Sequence, residues 1–201
     1  MPRLLIILCV LVLAPMMLWA EDQDSVYTDK QFGITMNVPA HWTTTTVEQL
    51  INKLKADPKV TPDVLTAIKG VGLIVDVSQR PLEGKMEINP NVTVAVKDIT
   101  VDPKPTDEQS MIQFAGNILA QTVPDPLSLP SPTKVTIAGL LGLSSEFATS
   151  IPEKGLLKSR VYVLVDVLQN KYYILTATFS DDKVVADQVI GVANSFSLIK
   201  S

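Results

Sequence analysis

Cysteine and histidine are almost missing from this chain: its 201 residues include one of each. The single cysteine, Cys9, sits inside an apolar run, and His41 is the only imidazole available as a general base. A zinc site would lack its common ligands. No nucleophile elbow stands in for them, because Gly142-Leu143-Ser144-Ser145-Glu146 lacks the second glycine of G-x-S-x-G. These three residues, Ser144, Ser145 and Glu146, read as ordinary strand positions. Concentrated positive charge is missing as well. The net charge is −4 and the basic residues are scattered, which excludes nucleic-acid binding by general phosphate neutralisation. Aromatics make up 5% of the chain, and no internal repeat or heptad tract is present.

What is abundant is apolar sequence, 46% of residues, and its first concentration is at the N-terminus. Arg3 gives a short basic start, Leu4 to Leu18 an apolar run, and Ala20 a place for a signal peptidase to cut before Glu21 and Asp22. The expectation is a signal peptide over 1–20, with a periplasmic or secreted protein following. The alternative is an N-terminal membrane anchor, since the run approaches the ~17 residues a short span needs. Pro15 and the acidic flank weigh against that. Removing residues 1–20 removes Cys9, leaving an acidic chain with no thiol, no disulfide and no further membrane span. Residues 21–201 suffice for one domain held by its core. Asn91-Val92-Thr93 is a glycosylation sequon if the source is eukaryotic.

Alternating Ile34, Met36 and Val38, with Val26 and Tyr27 before them, predict a hairpin turning at Thr28 to Gln31. Thr45 and Glu48 have capping-box spacing ahead of a helix running to about Ala56. Pro62 and Gly70 bracket a second helix. Leu73 to Val77 and Val92 to Val96 read as strands. Thr106 and Gln109 repeat the capping spacing before a third helix ending near Thr122, and prolines then make 125–131 an extended connection. Lys134 to Ile137, Leu143 to Thr149, Leu157 to Leu168 and Lys171 to Phe179 are the remaining long strands. Gln169 and Asn170 turn the last pair. Ser180 or Asp181 caps a final helix with Val185, Val189, Val192 and Phe196 at helical spacing, and Phe196 to Ile199 closes the chain extended. The fold class predicted is α+β, with helices layered on a mainly antiparallel sheet.

These landmarks resemble the PsbP-like fold family, which includes Mog-type and bacterial DcrB-like proteins. The likeness rests on Phe32-Gly33-Ile34-Thr35-Met36-Asn37-Val38-Pro39-Ala40-His41-Trp42, on Asn89-Pro90-Asn91-Val92-Thr93-Val94, and on Tyr172 to Phe179 followed by Asp181 to Phe196. It covers roughly Val26 to Ile199. The resemblance implies an α/β/α sandwich around a mainly antiparallel sheet, used for binding or for assembling complexes, with no shared catalytic constellation. A fold by itself is a weak warrant for function.

The functional expectation is a noncatalytic extracytoplasmic binding or complex-assembly module with a protein partner, no cofactor, no metal and no catalytic residues. Its candidate binding residues are His41, otherwise a turn residue, and Trp42, otherwise a core anchor. One alternative is a carrier of a small apolar ligand or lipid. The other is a hydrolase with an atypical carboxylate site using Asp181, Asp182 and His41, although helix capping is the more economical use of the two aspartates.

Overall fold

The computed structural model describes residues 23–55, 61–80, 89–122, 131–151 and 155–199. The expected signal segment, the first helix's end at Ala56 and most of the proline-rich connection lie outside them.

Short polar side chains decide where the elements begin. Strands β1 (Ser25–Asp29) and β2 (Ile34–Val38) form the expected hairpin, but the turn falls later than predicted. The Asp29 carboxylate accepts from the backbone N–H groups of Gln31 and Phe32 at 2.9 and 3.0 Å, so Thr28 stays in the strand and Phe32 joins the turn. The threonine run Thr43–Thr46 is a strand, β3, that the sequence reading left unassigned. Its pairing with β4 (Leu73–Ser78) puts Thr45 opposite Asp76. Thr45 is thereby unavailable as a cap. Thr46 and Gln49 form the reciprocal box instead, opening α1 (Val47–Lys55) one residue late.

Helix α2 (Pro62–Val71) starts at the predicted proline and ends at Gly72, not Gly70. Gly72 has φ +76, its carbonyl accepts from Val96 N, and a Cβ there would lie 2.4 Å from the Val96 carbonyl. Only glycine serves both demands. Strand β5 (Asn91–Asp98) follows, then α3 (Glu108–Thr122). The cap of α3 is again one residue beyond the predicted box: Asp107 accepts from Ser110 N at 2.7 Å, and Ser110 Oγ accepts from Asp107 N at 3.1 Å.

β6 (Thr133–Ile137) and β7 (Leu140–Ile151) are joined tightly through Ala138 and Gly139, both at positive φ. β8 (Gly155–Asp166) and β9 (Lys171–Phe179) flank a turn in which Asp166 accepts from Gln169 N and Asn170 has φ +56. Asp182, rather than Ser180 or Asp181, caps α4 (Lys183–Asn194), accepting from the N–H groups of Val184 and Val185. β10 (Ser197–Leu198) ends the described chain.

Seven strands form an antiparallel sheet in the order β3-β4-β5-β9-β8-β7-β6, and β1-β2-β10 form a second, smaller sheet. Strand alternation divides the large sheet's apolar side chains between two cores. Val75, Val77, Val92, Val94, Leu164, Tyr173 and Leu175 pack against α4 and the small sheet. Val161, Val163, Val165 and Tyr172 pack on the opposite side with Phe114, Ala115 and Leu119 of α3. The α/β/α layering expected from the sequence is thus present. Among the described residues no helix is long and apolar enough to cross a membrane.

Candidate functional site

Polar side chains interrupt the apolar alternation where β6, β7 and β8 lie side by side. Register places Thr133 of β6 opposite Ser144 of β7, Ser144 opposite Tyr162 of β8, and Glu146 opposite Arg160. Because side chains two apart along a strand share a face, Ser144 and Glu146 stand beside Tyr162 and Arg160. With Val135 and with Asn194 at the end of α4 they line an open cleft of about 470 Å³.

Glu146 Oε2 takes two hydrogen bonds from Arg160, from Nε at 3.2 Å and Nη2 at 2.7 Å. Both side chains are about one-third exposed, so this pair fixes geometry more than it stabilises the fold. Burial alone would lower the Arg160 pKa, but Glu146 and the neighbouring Tyr162 outweigh it and the net direction is upward. Arg160 therefore stays charged.

Tyr162 is 3% exposed, and its hydroxyl lies beside the Arg160 guanidinium. Burial raises its pKa, with Arg160 pulling partly the other way. The cleft offers an occupant the second Glu146 oxygen and the Arg160 N–H groups not already bonded.

The residues singled out from sequence fall elsewhere. His41 is an exposed turn residue between β2 and β3 with φ +66. Trp42 is half-buried against the α4-side core, its N–H bonded to Pro39 O at 3.0 Å. Neither lines the β6–β8 cleft. Asp181 pairs with Lys158 at 2.7 Å instead of capping a helix, while Asp182 is the cap. Ser144, Ser145 and Glu146, which read as ordinary strand residues, all line the cleft. A signal for them existed in the polar Ser144 and Glu146 at strand spacing and in Arg160 directly before the apolar run Val161 to Val165.

A second polar cluster lies on the other face, where Asp76, Ser78 and Thr45 are buried. Asp76 Oδ1 accepts from Asn91 Nδ2 at 2.5 Å, and Oδ2 has no partner. The sequon asparagine is therefore engaged inside the sheet. Burial raises the Asp76 pKa above 3.8, with Asn91 and Ser78 partly opposing. A raised folded-state pKa means that the protonated form favours folding and that this contribution is lost as pH rises through the folded-state value. The melting temperature of Asp76→Asn minus that of the wild type should thus grow more positive from about pH 4 to pH 7. A difference that stays flat over that range, read by thermal unfolding at each pH, would contradict the assignment.

Among solved structures the chain is similar to cyanobacterial PsbP (CyanoP) from Synechocystis, with TM-score 0.55 and 17% identity over 89% of this chain and 94% of that one. The fold is PsbP-like. Another protein sharing the PsbP-like arrangement is LpqN, involved in cell envelope biogenesis of Mycobacterium tuberculosis (TM-score 0.50, 14% identity, 89% of this chain and 87% of that one). The Ran-binding protein Mog1p of Saccharomyces cerevisiae matches more loosely (TM-score 0.43, 10% identity, 88% and 96% of the two chains). No family model matches the chain, and no curated protein matches it by sequence. At these identities the PsbP-like likeness speaks for architecture, and function has to be argued from the cleft.

Proposed function

We propose that residues 21–201 form a noncatalytic binding or complex-assembly module that works outside the cytoplasm after export by the segment 1–20. The observation that carries the binding role is the β6–β8 cleft: an Arg160–Glu146 pair oriented by two hydrogen bonds stands beside Ser144 and Tyr162, all mounted on paired strands. Rigid presentation of a few polar groups is what recognition needs. The hydrolase reading draws less support, since Asp182 is engaged as a helix cap and Asp181 in an ion pair. The apolar-carrier reading is also weaker. Tyr173, Leu164, Leu175 and Phe196 fill the α4-side core, and the cleft itself is open to solvent. His41 and Trp42 stay in the proposal as a secondary contact at the β2–β3 turn.

Crosslinking in the native compartment followed by mass spectrometry tests the module. A recurrent adduct with one protein is expected, and N-terminal sequencing of the mature form should begin at Glu21. Absence of any reproducible protein adduct would overturn the assembly role. A chain recovered only in the cytoplasm would overturn its location.

A further inference from the structure

We infer that the β6–β8 cleft binds a neutral carbohydrate, holding two adjacent ring hydroxyls between Arg160 and Glu146. One hydroxyl oxygen accepts from the guanidinium, and the neighbouring hydroxyl donates to the carboxylate. The inference rests on the binding role proposed above and adds the chemistry of the occupant.

Three observations select a sugar. First, the charged groups come as a pair and stay open to an occupant. Arg160 and Glu146 are each about one-third exposed, and Glu146 holds Arg160 through Oε2 alone. Oε1 is left beside the guanidinium N–H groups not already bonded to Glu146 or Tyr162. A lone anion in the cleft would face the carboxylate and a lone cation the guanidinium, so neither gains much net attraction. A hydroxyl both donates and accepts, and two on neighbouring ring carbons match a donor and an acceptor standing side by side. Second, the lining beyond the pair is neutral and suits the rest of a sugar ring. Thr133 and Asn194 are exposed and add a hydroxyl and a carboxamide, while half-buried Val135 gives an apolar surface for ring carbons. β6 and β8 lie two strand spacings apart, about 10 Å, and Ser144 and Glu146 are separated by about 7 Å along β7. A patch of that size, with a volume of about 470 Å³, accommodates one or two rings. Third, the cleft floor has no place for the backbone of an extended peptide. β7 pairs with β6 and β8, and β8 with β7 and β9, so the strands carrying Glu146 and Arg160 present no unpaired edge. Recognition there falls to side chains.

The test uses the full chain, expressed with residues 1–20 in place and purified as the cell processes it. Trehalose, maltotriose, cellotriose, xylotriose and acetylated chitotriose are titrated by NMR. Sodium sulfate, tetramethylammonium chloride and an array of N-acetylated, C-amidated octapeptides are separate arms for an anion, a cation and a peptide. At least one sugar is expected to bind, with shifts at 133–135, 144–146, 160–162 and 194. Glu146→Gln should weaken that sugar about tenfold, because it removes the charged acceptor and loosens Arg160. Thr133→Val removes an exposed hydroxyl at nearly constant volume and should weaken it about threefold with the melting temperature unchanged, so the test stands even if the Glu146 variant folds poorly. Unchanged sugar binding in either folded variant, shifts confined to other elements, or binding of an ion or an octapeptide in place of every sugar would each overturn the inference, as would no sugar binding at millimolar concentration. Protein adducts that recur in cells while no sugar binds would reject the carbohydrate and leave the assembly module standing. A sugar bound at the cleft without any adduct would remove the assembly role and keep the binding one, and the loss of both would reject the module itself.

Discussion

Phe196→Ala is expected to cost about 3–5 kcal/mol of folding stability, which for a chain of this size lowers the melting temperature by roughly 10 °C. Phe196 is 2% exposed and packs its ring against Tyr173 with centroids 5.2 Å apart. Its position explains the size of the effect. Directly before it, Ser195 Oγ accepts from Asn37 N of β2 and donates to Val192 O of α4; directly after it, β10 pairs with β2. The ring therefore fills the junction of the last helix, the small sheet and the large one. Truncation leaves a cavity where three elements meet, and the rigid strands beneath cannot close it. Phe196→Leu, which keeps most of the volume, should cost less than about 1.5 kcal/mol. Urea unfolding of both variants checks this, and an alanine variant within 1 kcal/mol of wild type would mean that the small sheet is not integral to the fold.

Gly142→Ala is expected to cost about 3 kcal/mol and to abolish cleft geometry with it. A Cβ at Gly142 would lie 2.0 Å from the Val163 carbonyl oxygen and 2.9 Å from its carbon. The obstacle is the backbone of β8, which no rotamer change relieves, so β7 and β8 must separate there. Ser144 opposite Tyr162 and Glu146 opposite Arg160 lie in the same ladder immediately beyond. Amide hydrogen exchange should accelerate at Leu143 to Glu146 and Arg160 to Leu164. Gly116→Ala is the control: a Cβ there meets Leu143 Cδ1 at an ordinary 3.6 Å, and alanine in a helix interior should add about 0.5–1 kcal/mol. Similar effects from both substitutions would refute the account.

Much of the secondary structure was legible because periodicity is a local property. The alternation in β2, β5 and β9 and the apolar stripes of α3 and α4 are visible from neighbours a few residues apart. Helix starts were readable only to within one residue. At both α1 and α3 two overlapping sets of capping residues compete. At α1 the choice was settled by β3, which drew Thr45 into a ladder opposite Asp76, a partner distant in sequence. The Thr43–Thr46 strand escaped notice for a related reason. Four identical residues carry no alternation, and their burial pattern comes from the neighbouring strand.

The sequence by itself determined the fold class, most of the strands and helices, the scattering of charge and the scarcity of imidazole and thiol, because each follows from composition or short-range periodicity. Only the tertiary structure decided which polar residues act together. Thr133, Ser144, Glu146, Arg160 and Tyr162 come from three strands, and nothing within any one segment says that they meet. Strand register makes them neighbours, and a one-residue slip would turn each side chain to the other face. Burial of the Tyr162 hydroxyl and orientation of the Arg160–Glu146 pair depend on that register and on α4 standing over the sheet, both set by contacts far apart in the chain.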